Sequence, residues 1–82
     1  MNKSLNHWTE VKTAWLVAEL GTLSAAADAL GVHRATVLRH VDLLESAVGV
    51  KLFQRHAKGY EPTEAGRELI NVASLVDEQL NN

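Results

Sequence analysis

The sequence predicts a mainly α-helical domain that carries one short β-hairpin. Apolar residues recur at spacings of three and four along most of the chain, which is the period of a helix with one buried face. Alanine and the aliphatic residues supply most of the 46% apolar fraction, whereas the strand-favouring aromatic residues make up 5%. With 82 residues, the chain has the length of one domain with one core.

The first predicted helix runs from Asn6 to Leu20. Gly21 ends it, because glycine adopts the positive φ of a helix C-terminus at little cost. The predicted inner face of this helix consists of Trp8, Val11, Trp15 and Ala18.

A short second helix is predicted from Ala25 to Leu30, with Thr22 and Ser24 as residues able to cap its N-terminus. Its alanines have little bulk, so another helix can approach closely. Gly31 ends this helix and provides the turn into the next one. The third helix is predicted from Arg34 to Val48 and ends at Gly49, and its inner stripe consists of Val37, Val41, Leu44 and Val48.

A hairpin and a last helix follow. The segments "KLFQR" and "YEP" are predicted strands, and "HAKG" between them suits the tip, where Gly59 is available for positive φ. Thr63 is a predicted N-cap for a helix from Glu64 to Leu80. Gly66 in its first turn is expected to cost some stability.

The charge of the chain is unevenly distributed. Its net charge is −2, yet residues 33–60 hold five cations and two carboxylates, a net of +3, while residues 61–82 come to −4. Such a distribution can direct one basic face to phosphate even in an acidic protein.

The order of the elements is typical of a winged helix-turn-helix. The turn at Gly31 joins two helices, which predicts a helix-turn-helix over about residues 22–41 and a wing over about residues 50–62. In that motif the second helix enters the major groove of DNA.

The run "GTLSAAADALGVHRATVLRHVDLLESAVGVKLFQRHAKGYEPTEAG" resembles the N-terminal DNA-binding domain of LysR-type transcriptional regulators. The shared features are the alanine-rich helix, the "LGV" turn, the "V..LE..VGV.LF.R" run and the "PTEAG" opening of the last helix. The resemblance extends from about Trp8 to the C-terminus. It implies a winged helix-turn-helix domain over residues 1–62 and a linker and dimerisation helix over residues 63–82. It also implies a homodimer that reads an interrupted inverted repeat in double-stranded DNA, and an effector-binding domain that follows in the full-length protein.

The resemblance also implies a set of DNA-contacting residues. Arg39 matches the basic residue of the family, and Arg34 stands where a glutamine commonly reads bases. Arg34 can contact guanine or grip a phosphate. The full set comprises Ser24, His33, Arg34, Ala35, Thr36, Leu38, Arg39, His40, Arg55 and Lys58.

Alternatives stay open for several of these positions. Leu38 is either an apolar base contact or a partly buried filler, and His40 lies either near the DNA backbone or in solvent. Arg55 is expected to pack beside Phe53 and to reach phosphate or the minor groove. Lys58 at the hairpin tip is expected to contact phosphate without regard to sequence.

Two carboxylates fall within the predicted DNA-binding segment. Asp42 stands where family members often have a basic residue, so it is expected to lie away from phosphate or to hold Arg39 or His40. Glu45 is expected to be structural.

The last helix carries an apolar stripe. The resemblance implies that the linker helices of two subunits pair, while the alternative is that the first half of the helix covers Trp8 and Trp15. The predicted dimerisation residues are Leu69, Val72, Val76 and Leu80.

Other classes of function find little support in the sequence. The absence of cysteine excludes disulfides and thiolate chemistry. His33 and His40 are about 10 Å apart along one helix, too far for one zinc ion. No nucleophile–base pair stands out, so neither an enzyme nor a metal or cofactor site is expected.

No signal peptide or membrane span is recognisable, which favours a cytoplasmic protein. The alternative to DNA binding is a winged-helix module that binds proteins.

Overall fold

The computed structural model describes residues 7–76, which form four helices and a two-stranded antiparallel sheet. The elements are α1 (His7–Leu20), α2 (Leu23–Leu30), α3 (Arg34–Val48), β1 (Phe53–His56), β2 (Gly59–Pro62) and α4 (Glu64–Val76). This arrangement confirms the predicted winged helix-turn-helix with a helix after the wing. The expectations for Asn6 and Leu80 fall outside the described residues.

The core lies where α1, α2 and α3 meet. Ala26 and Ala27 of α2 are buried and allow the close helix contact that their small size predicts. The hairpin and α4 close the core from the other side. Its buried apolar residues are Val11, Ala14, Val17, Leu23, Ala26, Ala27, Val37, Val41, Leu44, Leu52, Phe53 and Ala73.

Two predicted inner faces need correction. On α1 the most buried side chains are Val11, Thr13, Ala14 and Val17, and both tryptophans are only partly buried. The small residues of α1 face its neighbouring helices at closest approach, so the bulky rings lie at the edges of that face. Val48 is 44% exposed, because it is the last residue of α3, where the chain turns away from the core.

The helix ends follow the predicted chemistry with one shift. The Thr22 hydroxyl accepts a hydrogen bond from the Ala25 N–H at 3.0 Å, so α2 begins at Leu23, two residues earlier than predicted. Ser24 therefore lies in the first turn and is not the cap. Gly31 ends α2 with a φ of 70°, in the left-handed region that favours glycine.

The wing is a tight hairpin whose pairing runs from Phe53↔Pro62 to His56↔Gly59. The first strand begins two residues later than predicted. Glu45 of α3 holds this start: its Oε2 accepts hydrogen bonds from the Leu52 N–H at 2.8 Å and the Phe53 N–H at 3.2 Å. The structural role predicted for Glu45 is thus confirmed.

Helix α4 packs tightly against the segment that enters the wing. The Thr63 hydroxyl accepts a hydrogen bond from the Gly66 N–H at 3.1 Å, which confirms the predicted N-cap, and donates one to the Lys51 carbonyl oxygen. A Cβ atom at Gly66 would clash with the Leu52 carbonyl oxygen. Gly66 therefore permits a close approach of two backbones, which its helix propensity does not reveal.

None of the helices within residues 7–76 combines the length and the apolar character that crossing a membrane requires.

Candidate nucleic-acid interface

Helix α3 has one face in the core and the opposite face in solvent. Val37, Val41 and Leu44 are buried at helical spacing. This arrangement turns Arg39 outward, on the opposite side of the helix, whereas Arg34 is the first residue of α3; both side chains are exposed. Neither arginine has a carboxylate partner among residues 7–76.

The first turn of α3 is held by the backbone. His33 occupies the N-cap position with extended backbone angles, and its side chain makes no capping hydrogen bond. The Thr36 N–H instead donates to the His33 carbonyl oxygen at 3.0 Å. Ala35 is exposed and Thr36 is partly exposed, so this turn presents small side chains beside Arg34.

Leu38 and His40 are more closely engaged with the domain. Leu38 is partly buried and packs against the core, which fits the filler interpretation. The His40 ring is directed to α1, where its Nδ1 lies 2.9 Å from the Thr13 hydroxyl oxygen. The Thr13 hydroxyl donates its proton to the Thr9 carbonyl oxygen at 3.1 Å. Because that proton is used there, His40 Nδ1–H donates to the Thr13 hydroxyl oxygen. The sequence predicted that His40 lies near the DNA backbone or in solvent, and neither interpretation included this contact between α3 and α1.

The wing places Arg55 beside α3. Its guanidinium lies over the Tyr60 ring, 5.4 Å from the centroid, and its Nη2 is 3.5 Å from Asp42 Oδ1. The guanidinium of Arg55 thus packs on Tyr60, whose ring centroid is 6.1 Å from that of Phe53, and the packing of the Arg55 stem beside Phe53 stays a prediction. The ion-pair partner of Asp42 is therefore Arg55. The sequence had predicted Arg39 or His40 for this role.

The wing tip is fixed to the turn between α1 and α2. The Tyr60 N–H donates to the Gly21 carbonyl oxygen at 2.8 Å, and a Cβ atom at Gly59 would clash with that same oxygen. Lys58, next to Gly59, is exposed and has no ion-pair partner among the described residues.

The wing tip, the start of α2 and the start of α3 enclose a polar cavity of about 170 Å³. Ser24, Arg34 and Lys58 line it, so the structure brings together three residues that the sequence analysis named separately. His56 also lines it and was missed. Its Nε2 lies 2.9 Å from Glu61 Oε1, and its position within the predicted tip segment "HAKG" was the available signal.

Charge pairing separates the cations of this region into two groups. Lys51 and Arg55 lie against Glu45 and Asp42, respectively, and the His56 ring contacts Glu61. Arg34, Arg39 and Lys58 have no such partner within residues 7–76. The unneutralised positive charge therefore lies at the start of α3, on its outer face at Arg39 and at the wing tip.

The predicted dimerisation stripe of α4 divides between the core and solvent. Leu69 is partly buried and packs against the core, whereas Val72 is 58% exposed. Leu75, one turn after Val72, is 82% exposed and was not among the predicted dimerisation residues. The side chain of Val76 and all of Leu80 lie outside the described part of the structure.

Among residues 7–76, no group of three or more histidine, cysteine, aspartate or glutamate side chains is arranged to hold a metal ion.

Comparisons with known proteins place this geometry in a family. Residues 8–67 match the family described as bacterial regulatory helix-turn-helix protein, lysR family. The putative HTH-type transcriptional regulator protein PtxE of Stutzerimonas stutzeri is 40% identical over 53 residues, which are 65% of this chain and 27% of that protein.

Solved structures agree with the sequence match. The DNA-binding domain of CbnR in complex with DNA is 32% identical, has a TM-score of 0.83, and the match covers 90% of this chain and 85% of that one. Full-length CbnR with its target DNA is 33% identical with a TM-score of 0.80, and the match covers 84% of this chain and 24% of that one.

The chain spans 27% of PtxE and 17% of the transcriptional activator BauR of Pseudomonas aeruginosa, a minor part of the length of these relatives. Because the family match extends over well more than half of its residues, the chain belongs to the lysR family of bacterial regulatory helix-turn-helix proteins.

Proposed function

We propose that this chain is the part of a transcriptional regulator that binds double-stranded DNA in a sequence-specific manner. Helix α3 lies in the major groove, and the wing follows the adjacent backbone or minor groove. The observation that carries the proposal is the exposure of Arg39 on the outer face of α3 and of Arg34 at its first residue, both without a carboxylate partner among residues 7–76. The likeness to the CbnR domain, which was solved with DNA, supports it.

The exposed residues of α3 read bases. Arg39, one turn into the helix, makes the principal base contact, because a guanidinium can bind the O6 and N7 atoms of guanine together. Ala35 and Thr36 offer a methyl group and a hydroxyl group to neighbouring bases. His33 lies at the entry to the groove, and Leu38 contributes mainly by packing.

A second group of residues holds the DNA backbone. Arg34, Lys58 and Ser24 line one cavity with the N-terminus of α2, where a phosphate meets two cations and the positive end of a helix dipole. The position of Arg34 in this cavity favours phosphate over base as its partner. Arg55 reaches a second phosphate from β1. His40, whose ring is bonded to α1, takes no direct part in this proposal.

The protein acts as a homodimer in which residues 1–62 bind DNA and residues 63–82 form the linker and dimerisation helix. Val72 and Leu75 offer exposed apolar surface for the pairing of two α4 helices. Two α3 helices then read an interrupted inverted repeat. The full-length protein carries an effector-binding domain after residue 82 and acts in the cytoplasm. It has no catalytic activity, in keeping with relatives that are named as transcriptional regulators.

Selection of bound duplexes from a random pool tests the proposal. We expect enriched sequences with two related half-sites in inverted orientation. The affinity for an enriched duplex should fall steeply with salt, with a log–log slope near −7 for about eight phosphate contacts in each dimer. An unenriched pool, or an affinity that is flat in salt, would instead indicate a winged helix that binds proteins.

A further inference from the structure

A carboxylate stands on the surface of α3 that the proposed function turns to DNA. Asp42 lies one turn after Leu38 and Arg39 and two turns after Ala35, and all four line the same shallow surface cavity. Its side chain is 55% exposed. Since a duplex carries phosphates along both edges of the major groove, an uncovered carboxylate at this position opposes binding.

The cation that covers Asp42 is itself a DNA-binding candidate. Nη2 of Arg55 lies 3.5 Å from Asp42 Oδ1, while its guanidinium rests 5.4 Å from the centroid of the Tyr60 ring. The backbone of Tyr60 is held in turn, because its N–H donates a hydrogen bond to the Gly21 carbonyl oxygen. The aromatic contact keeps Arg55 on the α3 side of the wing, where either Asp42 or a phosphate can bind it.

The Asp42–Arg55 pair has the properties of an exchangeable contact. Both side chains are about half exposed, and the single contact at 3.5 Å is at the long limit of a hydrogen bond. Exposed pairs of this kind are weak and are screened by salt. By contrast, Glu45 makes two backbone hydrogen bonds with a side chain that is 9% exposed, so that carboxylate is not available for exchange.

We propose that Asp42 is an internal competitor of DNA for Arg55. In the free protein Asp42 holds the guanidinium, and a backbone phosphate displaces it when a duplex binds. Asp42 thereby sets the DNA affinity below the value that Arg55 would otherwise provide. This inference rests on the proposed function, because it requires that α3 and the wing bind DNA together.

The test compares Asp42→Asn with the wild-type chain on a fluorescently labelled duplex enriched from the random pool. Asp42→Asn removes the ion pair that DNA has to break. The energy of an exposed pair predicts that the variant binds DNA about two- to fivefold more tightly for each bound subunit. Asp28→Asn is the matched control: it removes the same charge from α2, where Asp28 is exposed and has no ion-pair partner among residues 7–76. We expect this control to bind as the wild type does. Thermal melting of each variant verifies that it is folded.

A double-mutant cycle with Arg55→Ala isolates the competition. If Asp42 acts through Arg55, the gain from Asp42→Asn is clearly smaller in the Arg55→Ala background, where only direct repulsion between Asp42 and phosphate is left. An equal gain in both backgrounds would mean that Asp42 only repels phosphate, and weaker binding by Asp42→Asn would mean that Asp42 positions Arg55 productively. Either result overturns the proposal.

The salt dependence separates this inference from the proposed function. If the wild-type chain binds with a steep salt slope and Asp42→Asn binds no tighter, the competition is refuted and DNA binding stands. If the wild-type chain binds no duplex, both fail together.

Discussion

Replacement of Glu45 by alanine should destabilise the domain more than any other change of an ionisable residue of α3. The Oε2 atom accepts hydrogen bonds from the amides of Leu52 and Phe53, at 2.8 and 3.2 Å, and these two residues are buried. Hydrogen bonds to charged groups contribute about 1.5–3 kcal/mol each. Because water can reach part of the space that alanine vacates, we expect a total loss of about 3 kcal/mol.

That loss is large for a domain of this size. A stability of about 0.05–0.15 kcal/mol per residue corresponds to roughly 4–12 kcal/mol for the whole chain. The melting temperature should fall by about 4–8 °C for each kcal/mol, and thus by about 12–24 °C in Glu45→Ala. The wing begins at these amides, so DNA affinity should fall as well at temperatures where the variant is partly unfolded.

Urea denaturation followed by circular dichroism measures the effect. Lys51→Ala is the control, because it removes only the exposed 3.7 Å ion pair to Glu45 and should cost less than about 0.5 kcal/mol. Glu45→Gln keeps an acceptor oxygen and should lie between the two. If Glu45→Ala stayed within about 0.5 kcal/mol of the wild type, the assignment of Glu45 as the anchor of the wing would be wrong.

Four further changes test other parts of the molecule. Arg39→Ala should weaken binding of the selected duplex by about 1–3 kcal/mol in a gel shift, with a smaller effect on unrelated DNA; equal losses on both would contradict base reading. Lys58→Ala should weaken all sequences alike and reduce the salt slope by about 0.9 for each subunit, so a loss confined to one base position would refute it. Gly66→Ala should destabilise the domain by about 1–3 kcal/mol in urea, because the new Cβ meets the Leu52 carbonyl oxygen; a gain in stability would show that helix propensity prevails. Leu75→Asp should shift the mass measured by light scattering from dimer to monomer, and an unchanged dimer would exclude this face of α4 from the interface.

The elements themselves could be predicted because the forces that form them act over a few residues. Gly31 and Gly49 end their helices with positive φ, and Thr63 caps α4 through the amide of a residue three positions later. The buried stripe of α3 at Val37, Val41 and Leu44 follows from the helix period alone.

The contacts of polar side chains depended on which elements come together in space. The sequence predicts that Asp42 lies away from phosphate or holds Arg39 or His40 of its own helix, yet its partner is Arg55, thirteen residues later on the wing. His40 reaches Thr13, which is twenty-seven residues away in sequence. A single sequence holds no signal for such pairs, because their distance is set by the packing of α3 against α1 and the wing.

By itself, the sequence determined that this protein is a helix-turn-helix with a wing and a basic central segment, since local periodicity, caps and charge decide those features. Only the tertiary structure decided which cations remain available. Arg34, Arg39 and Lys58 lie without carboxylate partners in the described residues, while Arg55 is held by Asp42. The reason is that the electrostatic potential around a cation depends on the opposite charges within a few ångströms of it. Folding brings those charges together from distant parts of the chain.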